Sequence, residues 1–270
     1  MDLPGRATEQ GKIRLSSVTN AIAVMKAFSA EESELGVSVL ARRLRLAKST
    51  AHRLASTLAR AGLLEQDEKT GRYRLGVAVF ELGSLVRRKI DIAFEAKPWL
   101  MALREQTDEA VNLSILDHGG VVCVNFLESK KLNRICSSVG SRKPVHCTAE
   151  GKALIAFQPA AVIERVIDAE LERRTRRTVV SPEALKEEFA AICGRGYATE
   201  EEEYELGVCG IAAPVRDDRG VPVAAVGVSG PTRRLTRARL PGLVRDVDAV
   251  AKAISVRLGH RPSEGLTADR

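Results

Sequence analysis

The chain has 270 residues, 44% of them hydrophobic, enough for two ordinary domains with real cores and a linker. No run of about 18 apolar residues occurs, which argues against a membrane span, and the polar opening from Met1 to Gln10 lacks a signal-peptide core, so the cytoplasm is the expected compartment. The net charge of +7 is concentrated: residues 1–90 hold 16 Lys/Arg against 9 Asp/Glu, and residues 91–270 balance to zero, which fits a polyanion-binding domain joined to a neutral companion.

Residues 1–12 read as a flexible arm. Ser17 to Ser29 is expected to be a helix with Val18, Ile22, Met25 and Phe28 toward a core, and Glu31 to Gly36 an acidic loop. Val37 to Leu44 and Ala47 to Ala61 both repeat apolar residues at helical spacing, separated by Arg45-Leu46. On the second of these, Ala47, Ala51, Leu54, Leu58 and Ala61 share one arc. Ser49, Arg53, Ser56 and Arg60 share the opposite arc, flanked by Lys48 and His52. Two helices, a tight turn and a polar-basic outer face make the helix-turn-helix layout, in which the second helix enters the major groove. Leu63 to Glu65, a polar turn over Gln66–Gly71 and Arg72 to Leu75 then predict a hairpin. Its alternation sets Arg72 and Arg74 on one face and Tyr73 and Leu75 on the other, as in a wing that touches phosphates or the minor groove.

Gly76 to Ile90 is helix-like, and its Val79, Leu82 and Val86 are candidates for pairing with a second copy. Strands are expected over Ala110–Asp117 and Val121–Glu128, joined at His118-Gly-Gly120, and over Asn133–Val139. Helices follow from Thr148 or Ala149 to Phe157, from Ala160 to Leu171, and from Ser181-Pro182 to about Cys193, the last with a good N-cap and proline in its first turn. Arg173 to Arg177 is a basic loop. Tyr197 to Glu203, a strand over Gly210–Arg216, the turn Asp217–Gly220, a strand over Val221–Ser229 and a helix over Leu240–Leu258 complete an α+β domain. Five cysteines without a CxxC pair exclude a disulfide framework or zinc finger as the first reading and point to reduced thiols.

Taken in order, these pieces resemble the IclR family of bacterial transcription regulators over about Ser17 to Leu258. The resemblance is carried by Ala47-Lys-Ser-Thr-Ala-His-Arg-Leu54, Gly71-Arg-Tyr-Arg-Leu-Gly76, Pro144-Val-His-Cys-Thr-Ala-Glu-Gly-Lys-Ala153, Gly210-Ile-Ala-Ala-Pro-Val215 and Val228-Ser-Gly-Pro231. It implies a winged helix-turn-helix over residues 13–75, a linker helix over 76–95 and a GAF-like α+β effector domain over 96–260. It further implies a homodimer or dimer of dimers on double-stranded operator DNA, controlled by a small organic or aromatic acid from a catabolic pathway, with no cofactor. Lys48, Ser49, Thr50, His52 and Arg53 are the groove-facing candidates, with Lys48, Arg72 and Arg74 also on phosphates. Carried over from similar proteins, the effector contacts are Thr148, Ala149, Glu200, Val208, Gly210, Gly227 and Ser229. Gly227 stands where some relatives carry serine, and Cys209 lies one place before a position where some carry cysteine. A smaller, less polar pocket floor is the expectation, suited to a bulkier or more apolar ligand.

Rival readings are weaker. Gly227-Val-Ser229-Gly230-Pro231 lacks the closing glycine of a nucleophile elbow, and the only histidine after it is His260, near a polar tail. His146 and Cys147, adjacent on an extended segment, point to opposite faces and make a poor dyad or metal pair. A purely architectural nucleic-acid binder would not need the large neutral domain.

Overall fold

A computed structural model of the chain describes residues 16–29, 32–89, 91–131 and 137–261. The chain divides into two compact units, 1–89 and 90–270.

The first unit holds α1 (Ser16–Met25), α2 (Val37–Leu44), α3 (Lys48–Arg60), a hairpin of β1 (Leu64–Gln66) and β2 (Tyr73–Leu75), and α4 (Val77–Lys89). Arg45 ends α2 in the left-handed region (φ 54°), the Leu46 N–H bonds back to Ala41 O at 2.9 Å, and Ala47 in extended conformation caps α3. Three residues thus separate the two helices. Val24, Leu35, Leu40, Ala55, Leu58, Leu64 and Tyr73 form the buried core.

That core corrects two expectations. On α1 Val18 and Ile22 are exposed, and Val24 is the buried residue, with Ala21, Met25 and Phe28 packed partly against the core. On α3 Ala47 and Ala61 are exposed cap residues, and the buried arc is Ala51, Ala55 and Leu58. A helix presents a stripe too narrow for both ends of an apolar series to stay in contact, so the seam centres on mid-helix residues. Leu35 pairs with Tyr73 through two 2.9 Å backbone bonds and extends the hairpin by an isolated bridge.

The second unit begins with α5 (Asp91–Thr107), which the sequence reading left unassigned beyond residue 95. A six-stranded antiparallel sheet follows in spatial order β5 (Arg142–Pro144), β4 (Gly120–Leu127), β3 (Ala110–Asp117), β8 (Pro222–Pro231), β7 (Val208–Arg216) and β6 (Ala198–Glu201). His118 and Gly119, both at positive φ, turn β3 into β4, as a two-residue hairpin of this hand requires. The strand expected over Asn133–Val139 lies outside the described residues at 133–136 and is not a strand at 137–139. One face of the sheet (Val111, Leu113, Ile211, Val226 and Val228) packs on α5 and α9 (Leu240–Arg257). The other packs on α6 (Ala149–Ile155), α7 (Ala160–Ile167) and α8 (Pro182–Arg195) through Ala198, Ala212 and Ala225. Ser181 caps α8, accepting from the Ala184 N–H at 3.3 Å, and Gly196 ends it at φ 84°.

Candidate nucleic-acid interface and effector site

Helix α3 turns its core arc inward, so its remaining side chains are exposed by geometry. Lys48, Ser49, His52 and Arg53 are exposed at the N-terminal half and Thr50 is half-buried. Among the described residues nothing pairs with the Lys48 or Arg53 cation, which leaves both available to an anionic or acceptor-bearing partner. Ser56 is half-buried, its hydroxyl 3.5 Å from the Tyr73 hydroxyl, so it belongs to the helix–wing seam.

The wing separates the two arginines chosen on it. Arg72 is exposed and makes no ion pair among the described residues. Arg74 is held by its own domain: its Nε donates to Glu65 at 3.0 Å, and Glu34 lies 3.8 Å from its guanidinium. Cross-strand pairing of Glu65 with Arg74 sets this up, and alternation alone could not reveal it. Arg42 and Arg45, exposed at the end of α2 and in the turn, are further cations that the sequence reading passed over. Arg43 differs: it donates to Ala27 O at 2.8 Å and pairs with Glu32.

In the second unit, the strand pairings bring most of the expected effector contacts onto the α6 side of the sheet. Gly210 pairs with Glu200 on β6 and with Ser229 on β8, and Val208 and Gly227 share that face by the period of two. The Glu200 carboxylate and the Ala149 methyl both lie over Gly210. Thr148 is otherwise engaged. Its hydroxyl donates to Pro144 O at 2.8 Å and accepts from the Gly151 N–H at 3.3 Å, so it caps α6. Cys209, one residue off, packs against the opposite core.

The floor over Gly227 overturns the expected less polar pocket. A side chain at Gly227 would run into the Glu150 carboxylate and the Asn112 amide. Asn112 Nδ2 donates to Glu150 Oε1 at 2.6 Å, and both residues are buried. Neither was singled out from the sequence. The available signal was Asn112 and Ser114, spaced by two inside an otherwise apolar strand, which is the pattern of a polar sheet face.

Burial shapes the electrostatics. It pushes the Glu200 carboxyl up to about 8, helped by the neighbouring Glu150 and Glu203 charges and opposed by the Tyr204 N–H bond at 3.2 Å. Burial likewise pushes the Cys147 thiol up to about 12 and the Cys123 and Cys209 thiols up to about 11, so all three are neutral thiols near pH 7. His146 is held below the usual imidazole range by burial, with its Nε2 3.0 Å from Glu172 O. Lys152, 2% exposed, is balanced by Glu203 at 2.7 Å and Glu188 at 3.6 Å. Lys143 and Arg174 each stand 5.0 Å from the Tyr204 ring centroid. Among the described residues no group of three His, Cys, Asp or Glu is placed to hold a metal ion. Ser229 lies within β8, not on the sharp strand-to-helix turn that a nucleophile elbow requires.

A winged helix-turn-helix followed in the chain by an α+β domain with a buried polar face defines a class, the ligand-responsive DNA-binding regulators. The comparisons agree with it. Residues 17–68 match the IclR helix-turn-helix domain, and residues 85–256 match the bacterial transcriptional regulator IclR C-terminal domain. The chain is 36% identical to the glycerol operon regulatory protein of Streptomyces coelicolor over 247 residues, 91% of this chain and 97% of that protein. It is 32% identical to the HTH-type transcriptional repressor AllR of Salmonella paratyphi A, covering 96% of each. An IclR homolog from Microbacterium hydrocarbonoxydans, solved in complex with 4-hydroxybenzoate, superposes with a TM-score of 0.78 at 29% identity, over 90% of this chain and 98% of that one. The chain belongs to the IclR family of bacterial transcriptional regulators; it is a regulator and not an enzyme.

Proposed function

We propose that this regulator represses a catabolic operon and is released from its operator by a small organic acid, acting in the cytoplasm as a homodimer or dimer of dimers. The observation that carries the reading is the coexistence of cations on α3 and the wing that are unpaired among the described residues with a buried polar face under α6. Lys48, Ser49, Thr50, His52 and Arg53 are the groove-facing set, with Arg53 the bidentate reader of guanine and Lys48 and Arg72 on phosphates. Arg74 takes part only by giving up Glu65. The functional division is DNA binding over 13–75, a linker over 76–95 and effector binding over 96–260.

Ala149, Glu200, Val208, Gly210, Gly227 and Ser229 frame the ligand, and Thr148 acts by fixing the start of α6. The acid end of the ligand is best accommodated toward Lys143, which stands over the Tyr204 ring, with the neutral Glu200 carboxyl tolerating it; Arg174, over the same ring, takes part only by giving up Glu172 at 2.8 Å. Repression is favoured by the naming of the Salmonella relative as a repressor, and an acid ligand by the 4-hydroxybenzoate complex of the Microbacterium homolog. Ligand binding then redistributes the protein between dimer arrangements that differ in the spacing of their recognition helices.

The test is selection of genomic fragments by the full chain at moderate salt, followed by operator release against a panel of organic acids. Enriched sites released by at least one acid are expected; an absence of enriched sites would remove the reading.

A further inference from the structure

The polar floor over Gly227 states what kind of group it was built to meet. Asn112 is 4% exposed, and its Oδ1 has no hydrogen-bond partner among the described residues. A buried amide oxygen left unpaired carries an uncompensated desolvation cost, so its partner is to be sought in a ligand. The opposite amide orientation offers no relief, because it would set Oδ1 against the Glu150 oxygen that now accepts from Nδ2. Glu150, 8% exposed, spends one oxygen on Asn112 and has no other hydrogen-bond donor among the described residues. Asn112 Oδ1 and the same Glu150 Oε1 that accepts from Nδ2 both lie over the Gly227 Cα, where a larger residue would exclude them. The Ser229 hydroxyl, two residues along β8 on the same face, makes no hydrogen bond among the described residues.

We propose that this face is a subsite for a chain of adjacent hydroxyl groups, the part of a small polyhydroxylated ligand that donates to Asn112 Oδ1 and the Glu150 carboxylate. Two acceptors crowded over one glycine match hydroxyls on neighbouring carbons. An apolar ring would leave both unpaired, and a carboxylate would meet only lone pairs. The inference rests on the reading that this domain binds a small effector here, and it names the ligand class. A neutral polyol and a polyhydroxy acid share the chemistry. In the acid, the carboxylate lies at the Lys143 and Arg174 end.

Calorimetry on the full chain separates the alternatives with three probes: gluconate, xylitol and benzoate. Gluconate binding with xylitol weaker identifies a hydroxy acid, and xylitol binding at least as tightly identifies a neutral polyol. Either outcome supports the subsite, provided benzoate binds at least tenfold more weakly than the better of the two. Glu150→Gln should weaken that probe at least tenfold. Gly227→Ala, which displaces the Glu150 side chain without removing any charge, should do the same and covers the case in which Glu150→Gln fails to fold. Tighter binding of benzoate, equal affinity of both folded variants and the parent chain, or no binding of gluconate and xylitol overturns the inference. Operator release by benzoate alone would leave the sensor reading standing and this inference fallen. Gluconate binding that depends on Glu150 without operator release would do the reverse.

Discussion

Among the described residues Arg53 and Arg72 are exposed cations without a partner, whereas Arg74 is held by Glu65 and Glu34, which makes their deletions unequal. Arg53→Ala should cost about 1–3 kcal/mol of operator binding and relax base preference, read by fluorescence anisotropy on operator and base-substituted duplexes. Equal affinity of variant and parent chain would refute the assignment. Arg72→Ala should weaken every sequence alike and reduce the salt slope by about one. Arg74→Ala should do so less, because this guanidinium must first leave Glu65 and Glu34. In the second unit, Glu200 takes up its proton near pH 8 when folded, against 4.5 for an ordinary glutamate. The folded state therefore holds a proton that the unfolded chain releases. The stabilisation is fully present below the lower value and is lost as pH rises through about 8. The groups facing it, Glu150, Glu203, Lys152, Cys147 and Cys209, include no cation that reverses that sign. The melting temperature should accordingly fall by several degrees between about pH 6 and pH 9, and Glu200→Gln should flatten that fall. A variant as pH-sensitive as the parent chain would place the titration elsewhere.

Two glycines set how closely the elements approach. A Cβ on Gly151 would penetrate the Val145 backbone, so α6 can lie against the segment before it only with hydrogen at that position. A Cβ on Gly76 would meet the Gly62 carbonyl, so the exit of the wing closes on the end of α3 only with glycine. Both are motif positions, and both act by contact with backbone that cannot rotate away. Gly151→Ala and Gly76→Ala should each destabilise by about 1–3 kcal/mol in denaturant unfolding, the first followed by Trp99 fluorescence from its own unit. Unchanged midpoints would show that the backbone relaxes freely. Helix α4 exposes Val77, Phe80, Leu82 and Leu85, an apolar set on an element with few internal partners. Of the trio expected to pair with a second copy, Leu82 is exposed and Val79 half-buried, and the Val86 side chain lies outside the described residues.

Across the whole molecule the excess charge belongs to residues 1–90. The logarithm of operator affinity should therefore fall steeply and linearly with the logarithm of salt concentration, while ligand affinity in the neutral unit should depend on salt only weakly. Comparable slopes would contradict the partition.

Periodicity, turn chemistry and charge distribution are local properties, so most of the helices and strands, the winged helix-turn-helix and the α+β class were legible residue by residue, whereas α5 beyond residue 95 and the short edge strand β5 were not. The α8 cap at Ser181 and the His118–Gly119 turn were readable for the same reason, since each depends on neighbours within four positions. Tertiary structure alone decided which cations stay unpaired, because Arg74 meets Glu34 and Glu65 from other strands and loops. It alone placed Asn112 of β3 against Glu150 of α6, 38 residues away, over a glycine on β8. Pairings at such separations arise from the packing of elements on one another, and no spacing rule in the chain records them.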